Sequence, residues 1–465
     1  MQNELTERMK KVLVLVMIAG CFLSTLNQTL LNVALSDLKA TFNVEPTTIQ
    51  WLATGFMLVN GILVPITAFL MKRFSTRQLF MSSMLFLLIG SIIAACALNF
   101  GMLLTGRMVQ AVGAGIILPL MMTVIVYLYP AEKRGAVMGK MGFAIIFAPA
   151  IAPTLAGFIV EYLSWRWLFV GIVPFVLIIL ALAYKFLMNV QDGEKTTLDL
   201  VSVVYSTIGF GLLLYGFSSA GSLGWSHPVI LCCIIIGIAV TGLFCYRQFK
   251  SEDPLLNLNV FKYKMFTITT IVNIAITILM YADLILLPMY LQDGRGVTAF
   301  VAGLILLPGA IINAFLSPVT GKLFDRFGAK PLFIVGLLLI AASMYMVIDL
   351  TATTSITYIV IRTIILRIGL AFITMPLNTA ALNALPRALA SHGSAVNNTA
   401  RQLSGAIGTA VIVTIYSMQL VVDSSNVGGS FAAAASDTYV YMLIVAVIAL
   451  LFVLFIPSKK EKGHA

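Results

Sequence analysis

The chain has 465 residues, 60% of them hydrophobic and only 10% charged, with a formal net charge of +11 and a mean hydropathy of +1.02. Soluble domains carry about 25% charged residues, so this composition excludes an ordinary water-soluble enzyme and places the chain in a bilayer. The basic residues are scattered over short turns rather than gathered in one region, which argues against a nucleic-acid partner.

A membrane-crossing helix needs about 17–25 predominantly apolar residues. Fourteen stretches qualify, at 12–34, 50–70, 79–98, 103–128, 138–160, 166–188, 199–219, 228–247, 266–290, 298–320, 331–349, 356–380, 396–421 and 437–457. They are continuous rather than alternating, which selects helices over a barrel. The first is a full span with polar residues in it, so it is expected to be retained rather than cleaved. With the N-terminus placed in the cytoplasm, most basic residues, Arg401 among them, fall in the turns on that side, while Lys39, Arg166 and Arg295 remain outside. The positive-inside bias then puts both termini inside.

Helix 1 carries Asn27, Gln28 and Asn32, the last two four residues apart on one face, a polar stripe suited to lining a cavity. The turn after helix 2 reads Ala68-Phe-Leu-Met-Lys72-Arg73-Phe74-Ser75-Thr76-Arg77. The turn after helix 10 reads Gly321-Lys-Leu-Phe-Asp325-Arg326-Phe327-Gly328-Ala329-Lys330. The pair is an internal repeat once helices 7 and 8 are set aside as an insert. It predicts a six-helix lobe at 1–190, a two-helix insert with its linkers at 191–264 and a second six-helix lobe at 265–465.

Charges at bilayer depth cost about 2.5–3.5 kcal/mol on insertion scales, so each is a functional candidate. Arg107 with Gln110 in helix 4, Asp283 in helix 9, and Arg362 and Arg367 in helix 12 are enclosed by the predicted spans. Sliding helix 9 on helix 1 without gaps sets Asp283 opposite Asn27. Counting back from Pro119 and Pro376 sets Arg367 opposite Gln110, a position expected to face the cavity, whereas Arg362 is expected to snorkel outward. Pro149 and Pro153 kink helix 5, and Gly157 permits close helix contact. Asn397, Asn398, Arg401 and Gln402 open helix 13 with polar groups.

These motifs resemble those of the major facilitator superfamily, and the whole chain is similar to its fourteen-helix drug:proton antiporters. The loop Gly321 to Lys330 matches the family's Gly-x-Leu-x-Asp-Arg-x-Gly-x-Lys motif, while the earlier copy has Ala68, Lys72 and Ser75 at its two glycines and aspartate. Arg107 and Gln110 resemble the coupling motif of helix 4, Pro153 and Gly157 the exporters' motif of helix 5, and Leu26 to Leu35 the motif of helix 1, whose aspartate is Asn27 here.

The resemblance implies an all-α polytopic membrane protein of major facilitator fold, with two six-helix lobes and two extra central helices. It implies a proton-coupled exporter of amphipathic or cationic drugs in the plasma membrane of a bacterium. In that reading Asp283, Arg107 and Arg367 couple protons, and Asn27, Gln28, Asn32 and Gln110 line the substrate cavity. Pro149, Pro153 and Gly157 gate it, and Gly321, Asp325, Arg326 and Gly328 form a cytoplasmic latch. No metal or other cofactor is expected, and the partners are drugs, protons and lipid around a monomer. A dedicated exporter of a metabolite or lipid is the second reading. A membrane enzyme or a channel is the third, and the spans hold no catalytic cluster of His, Asp and Glu. The chain has no Gly-x-x-x-x-Gly-Lys-[Ser/Thr] loop, so nothing supports ATP drive.

Overall fold

The computed structural model describes residues 7–49, 51–190, 199–251, 254–420 and 427–456, and no strand occurs among them. Six long helices come first: α1 (Glu7–Phe42), α2 (Trp51–Arg73), α3 (Thr76–Ala95), α4 (Phe100–Leu128), α5 (Ala131–Tyr162) and α6 (Ile172–Phe186). Next come α7 (Leu200–Leu223) and α8 (Pro228–Lys250). The last six are α9 (Lys264–Met289), α10 (Ala299–Phe327), α11 (Ala329–Tyr345), α12 (Ile356–Asn383), α13 (Ala390–Gln419) and α14 (Val427–Leu454).

Twelve helical segments among the described residues are long and apolar enough to cross a membrane. The other two long helices stand where the sequence predicts spans eleven and thirteen. One, α11, has 17 residues, or about 26 Å of rise. The other, α13, is rich in polar side chains over its first half. Several helices outrun the apolar stretches: α5 begins at Ala131 and α13 at Ala390. Polar residues are tolerated inside a span when they face protein.

Side-chain caps fix where the helices start. Ser75 and Gln78 form a reciprocal capping box at the start of α3, Asn99 accepts from Met102 N at 2.9 Å at the start of α4, and Asp199 and Thr298 do the same for α7 and α10. The two repeat turns therefore differ in backbone. Ser75 is an extended cap, whereas its counterpart Gly328 ends α10 at φ +82°, a left-handed conformation that suits glycine.

The same helix pairings occur twice. α1 packs on α5 and α6, α2 and α3 on α4, and α3 on α6; correspondingly α9 packs on α13 and α14, α10 and α11 on α12, and α11 on α14. Lipid supplies no hydrophobic drive between helices, so close packing must supply it. A Cβ built on Gly106 of α4 would lie 2.9 Å from Gly90 O of α3, and one on Gly369 of α12 would lie 2.8 Å from Gly336 O of α11. Each lobe has its own apolar core.

Between the lobes, α5 packs directly on α10 and α12, and α13 on α2 and α4. The α7–α8 pair lies along the α2–α13 seam, where Phe210 and Phe244 join Ala68, Phe266 and Val396 in one cluster.

Candidate functional site

Asp283 is the one acidic side chain buried among the described residues. Its Oδ1 accepts from the Arg362 guanidinium and, at 3.1 Å, from the Tyr439 hydroxyl of α14. The Tyr439 ring also covers that guanidinium, 4.8 Å from its centroid. Arg362 in turn donates from Nε to Ser343 O at 3.0 Å. The second carboxylate oxygen of Asp283 has no hydrogen-bond partner.

This corrects the expectation that Arg367 or Arg107 faces the acid and that Arg362 snorkels. The reason is register. Gly369 of α12 meets Gly336 O and Ile340 N of α11 as Gly113 of α4 meets Ser83 O and Leu87 N of α3, the same 253-residue offset as the two repeat turns. Arg362, seven residues before Gly369, therefore stands within one residue of the place that Arg107, six before Gly113, holds in α4, and it is buried there rather than at the membrane surface.

The first lobe has no acid at the matching place. Arg107, 1% exposed, donates to Asn27 O at 3.2 Å and Gln110 Oε1 at 2.9 Å, and lies 4.4 Å over the Phe56 ring. Gln110 passes a further bond to Ser91 Oγ at 2.9 Å. The Arg107 Nε and Asn27 Nδ2 are left without partners. Carbonyls and a π face thus hold this cation. Gln28 is half-buried. Asn32 lies in α1, and its side chain is outside the described set.

Two further cations stand at membrane depth. Arg367 leans its stem on Gly309 of α10 and is half-buried; it makes no hydrogen bond to another described residue, and its Nε is buried and bare. Arg401, expected in a cytoplasmic turn, is eleven residues inside α13. There it is half-buried, donates to Asn398 Oδ1 at 3.3 Å, and acts electrostatically on Cys21 of α1 across the lobe boundary.

Most hydrogen bonds between the lobes among the described residues lie toward the end that carries Asp325, with Gln402 to Asn60 nearer mid-helix. Asp325 accepts from Gly135 N and Ala136 N of α5, each at 2.8 Å. Arg134 donates to Asn383 Oδ1 at 2.7 Å and holds the last carbonyls of α4 through Val126 O and Tyr129 O. Ser317 bonds to Gly139 O, Ser394 to Pro119 O, and Gln402 to Asn60 Oδ1. Gly321 lets the chains close: a Cβ there would lie 2.1 Å from Gly135 O. Gly328 makes the turn, and exposed Arg326 stacks on Phe327.

The expected gate residues stand at the other end of α5. A Cβ on Gly157 meets nothing within 4 Å, and Pro149 is exposed. Pro153 lies in α5 with its side chain outside the described set. The close approach expected at Gly157 is made instead by Gly135, Gly139 and Gly142 against Gly321, Ser317 and Met375. The close glycine contacts between the lobes gather at the Asp325 end.

Among the described residues no group of three or more His, Cys, Asp or Glu is placed to hold a metal ion. The arrangement offers a buried acid paired with a permanent cation that stays charged when the acid is protonated, and two half-buried guanidinium groups without a carboxylate partner among the described residues. Tyr439 and Arg134 escape the sequence reading as site residues: the first is an ordinary aromatic in an apolar run, and the second is a basic residue beside a turn.

The family model described as "Major Facilitator Superfamily" matches residues 17–409. The lincomycin resistance protein LmrB of Bacillus subtilis is 40% identical over 97% of this chain and 96% of its own length. The probable multidrug resistance protein EmrY of Escherichia coli is 28% identical over 85% of this chain and 78% of its own. Among solved structures, the human organic anion transporter MFSD10 superposes with a TM-score of 0.71 at 14% identity, covering 96% of this chain and 99% of that one. The proton:xylose symporter XylE of E. coli gives 0.69 at 16%, covering 98% and 97%. The repeated helix pairings and the family match agree: this chain is a membrane transporter rather than an enzyme, it is related to lincomycin-resistance and multidrug transporters, and it belongs to the Major Facilitator Superfamily.

Proposed function

We propose that the chain is a proton-coupled exporter of amphipathic drugs, acting as a monomer in the bacterial plasma membrane with both termini in the cytoplasm. The observation that carries the reading is Asp283, a wholly buried acid bonded to Arg362 and Tyr439 and bare on one oxygen. A buried pair of this kind holds only while both partners are charged, and losing one leaves an uncompensated charge. Protonating Asp283 releases Arg362, so proton binding and the packing of α9 against α12 and α14 are linked.

The bias of basic turns puts the Asp325 end in the cytoplasm. The bonds that join the lobes then lie at the inward end, which suits loading of the acid with a proton from outside. Arg107 holds the α1 backbone at Asn27 and serves as a fixed cation. Gln28 and Asn60 supply polar wall, with Asn32 as a further candidate, while Gln110 is packed between Arg107 and Ser91 and holds that arginine in place. Gly321, Asp325, Arg326 and Gly328 form the inward latch, together with Arg134. Pro149, Pro153 and Gly157 are gate candidates only for the inward-open state, in which the outer halves of the lobes meet. The lobe limits 1–190, 191–264 and 265–465 are part of the same reading.

Relatives named for lincomycin resistance make lincomycin the first compound to try. The test is substrate-induced proton release from purified protein, wild type against Asp283→Asn. Loss of release with retained downhill exchange is expected. Release equal to wild type places the coupling acid elsewhere, Glu161 and Asp325 being next.

A further inference from the structure

We propose that the substrate path between the lobes takes amphipathic organic anions in preference to cations, with Arg367 and Arg401 as the guanidinium groups that can each receive the acid group of the substrate. The inference rests on the drug-transport reading and names its substrate class. It replaces the cationic part of the expectation drawn from resemblance.

The argument is a charge count with partners. Five charged side chains stand well inside the helices, away from the turns, and buried or half-buried: Arg107, Asp283, Arg362, Arg367 and Arg401. Asp283 and Arg362 neutralise each other. Arg107 is sealed against Asn27 O, Gln110 and the Phe56 ring, where no ligand reaches it. Two guanidinium groups remain half-exposed, and neither has a carboxylate partner among the described residues. Arg367 has no hydrogen-bond partner there at all, although a guanidinium carries five donors. Arg401 has an amide oxygen alone.

A guanidinium at bilayer depth with bare donors is costly, and its fork geometry matches a carboxylate, sulfonate or phosphate. An organic cation in the same space meets three uncompensated positive charges in a medium of low dielectric. The two arginines sit on different helices of the second lobe, Arg367 against α10 and Arg401 toward Cys21 of α1. The helix of Arg401 packs on α2 and α4, and the neighbouring Gln402 bonds to Asn60 of α2, so a substrate held by Arg401 stands at the lobe boundary. The aromatic body of such a substrate has apolar company in half-buried Phe143 and Phe147 of α5. An inside-negative membrane potential drives an anion outward, so export of this class gains from the potential as well as from the pH gradient.

The experiment uses the purified full chain in liposomes and three fluorescent probes sharing one aromatic body: pyrenebutyrate, pyrenebutanol and pyrenebutyltrimethylammonium. Saturable binding should rank anion over alcohol over cation, the first exceeding the last by about tenfold or more. Arg367→Gln and Arg401→Gln should each weaken pyrenebutyrate about tenfold and leave pyrenebutanol unchanged, which also shows the variants folded. Arg367→Lys should keep the ranking at reduced affinity. Equal or tighter cation binding, a ranking that survives the double Gln variant, or no saturable binding of pyrenebutyrate would each overturn the proposal. A correct ranking without any pH-driven transport would leave the anion site standing and remove the proton-coupled reading instead.

Discussion

Tyr439 donates its hydroxyl to Asp283 while its ring covers the guanidinium that neutralises the same acid. One aromatic side chain from α14 thereby touches both members of the buried pair and ties the last helix of the lobe to α9 and α12. Removing the hydroxyl costs one bond to a charged group, about 1.5–3 kcal/mol. Tyr439→Phe should lower the melting temperature modestly and change the pH profile of transport. Tyr439→Leu, which also removes the ring, should be worse on both counts. Thermal unfolding in detergent and transport assayed across pH check the order.

Breaking the pair from the other side should be severe. Arg362→Met leaves Asp283 charged, buried and unpaired, a loss of about 3–5 kcal/mol. Adding Asp283→Asn should recover most of the stability without recovering proton coupling. A double variant no more stable than Arg362→Met would show that Arg362 acts through Ser343 O and its packing rather than through the acid.

Closure at the Asp325 end depends on backbone contact. Gly321→Val places a side chain where Gly135 O now sits, with 2.1 Å of room. The lobes should fail to close there, so turnover falls at least tenfold while binding persists. Gly157→Leu should leave the present state undisturbed, because nothing lies within 4 Å of a Cβ at that position. Accessibility of a cysteine introduced at Ser317 to a membrane-impermeant reagent distinguishes the two: high in Gly321→Val, low in Gly157→Leu.

Outside the membrane, Arg247 donates to Asp199 from Nε and Nη2 at 2.9 and 3.0 Å and holds its carboxyl down at about 2, from an ordinary value of 3.8. A depressed carboxyl contributes stability above its unfolded value and loses it as pH falls through the folded one. The melting difference between wild type and Asp199→Asn should therefore be constant above about pH 5 and shrink between pH 4 and 2. The pair is partly exposed, so the difference should be under about 1 kcal/mol.

The helices themselves were legible because lipid demands long apolar runs, and Asp283 was legible because an acid in such a run stands out. Its partner was not. Choosing between Arg362 and Arg367 needs the α11–α12 crossing, which Gly336 and Gly369 set and which makes Arg362 the counterpart of Arg107. The predicted span thirteen opens at 396, whereas the helix begins at Ala390: Ser391, His392 and Ser394 lower the local hydropathy of its first turns, yet they are buried against protein. Tyr439 carries no local signal at all, since only the folding of α14 against α9 brings it to the acid.

The α7–α8 pair makes the two flanks of the transporter unequal. On one flank the lobes meet directly along α5 and α10, with Phe143, Phe147 and the exposed Phe315 in edge and stacked contact. On the other, α7 lies across α2 and α13, and Trp225 donates to Thr414. A lipophilic compound dissolved in the leaflet thus meets a wall of two extra helices from one direction and an aromatic seam from the other.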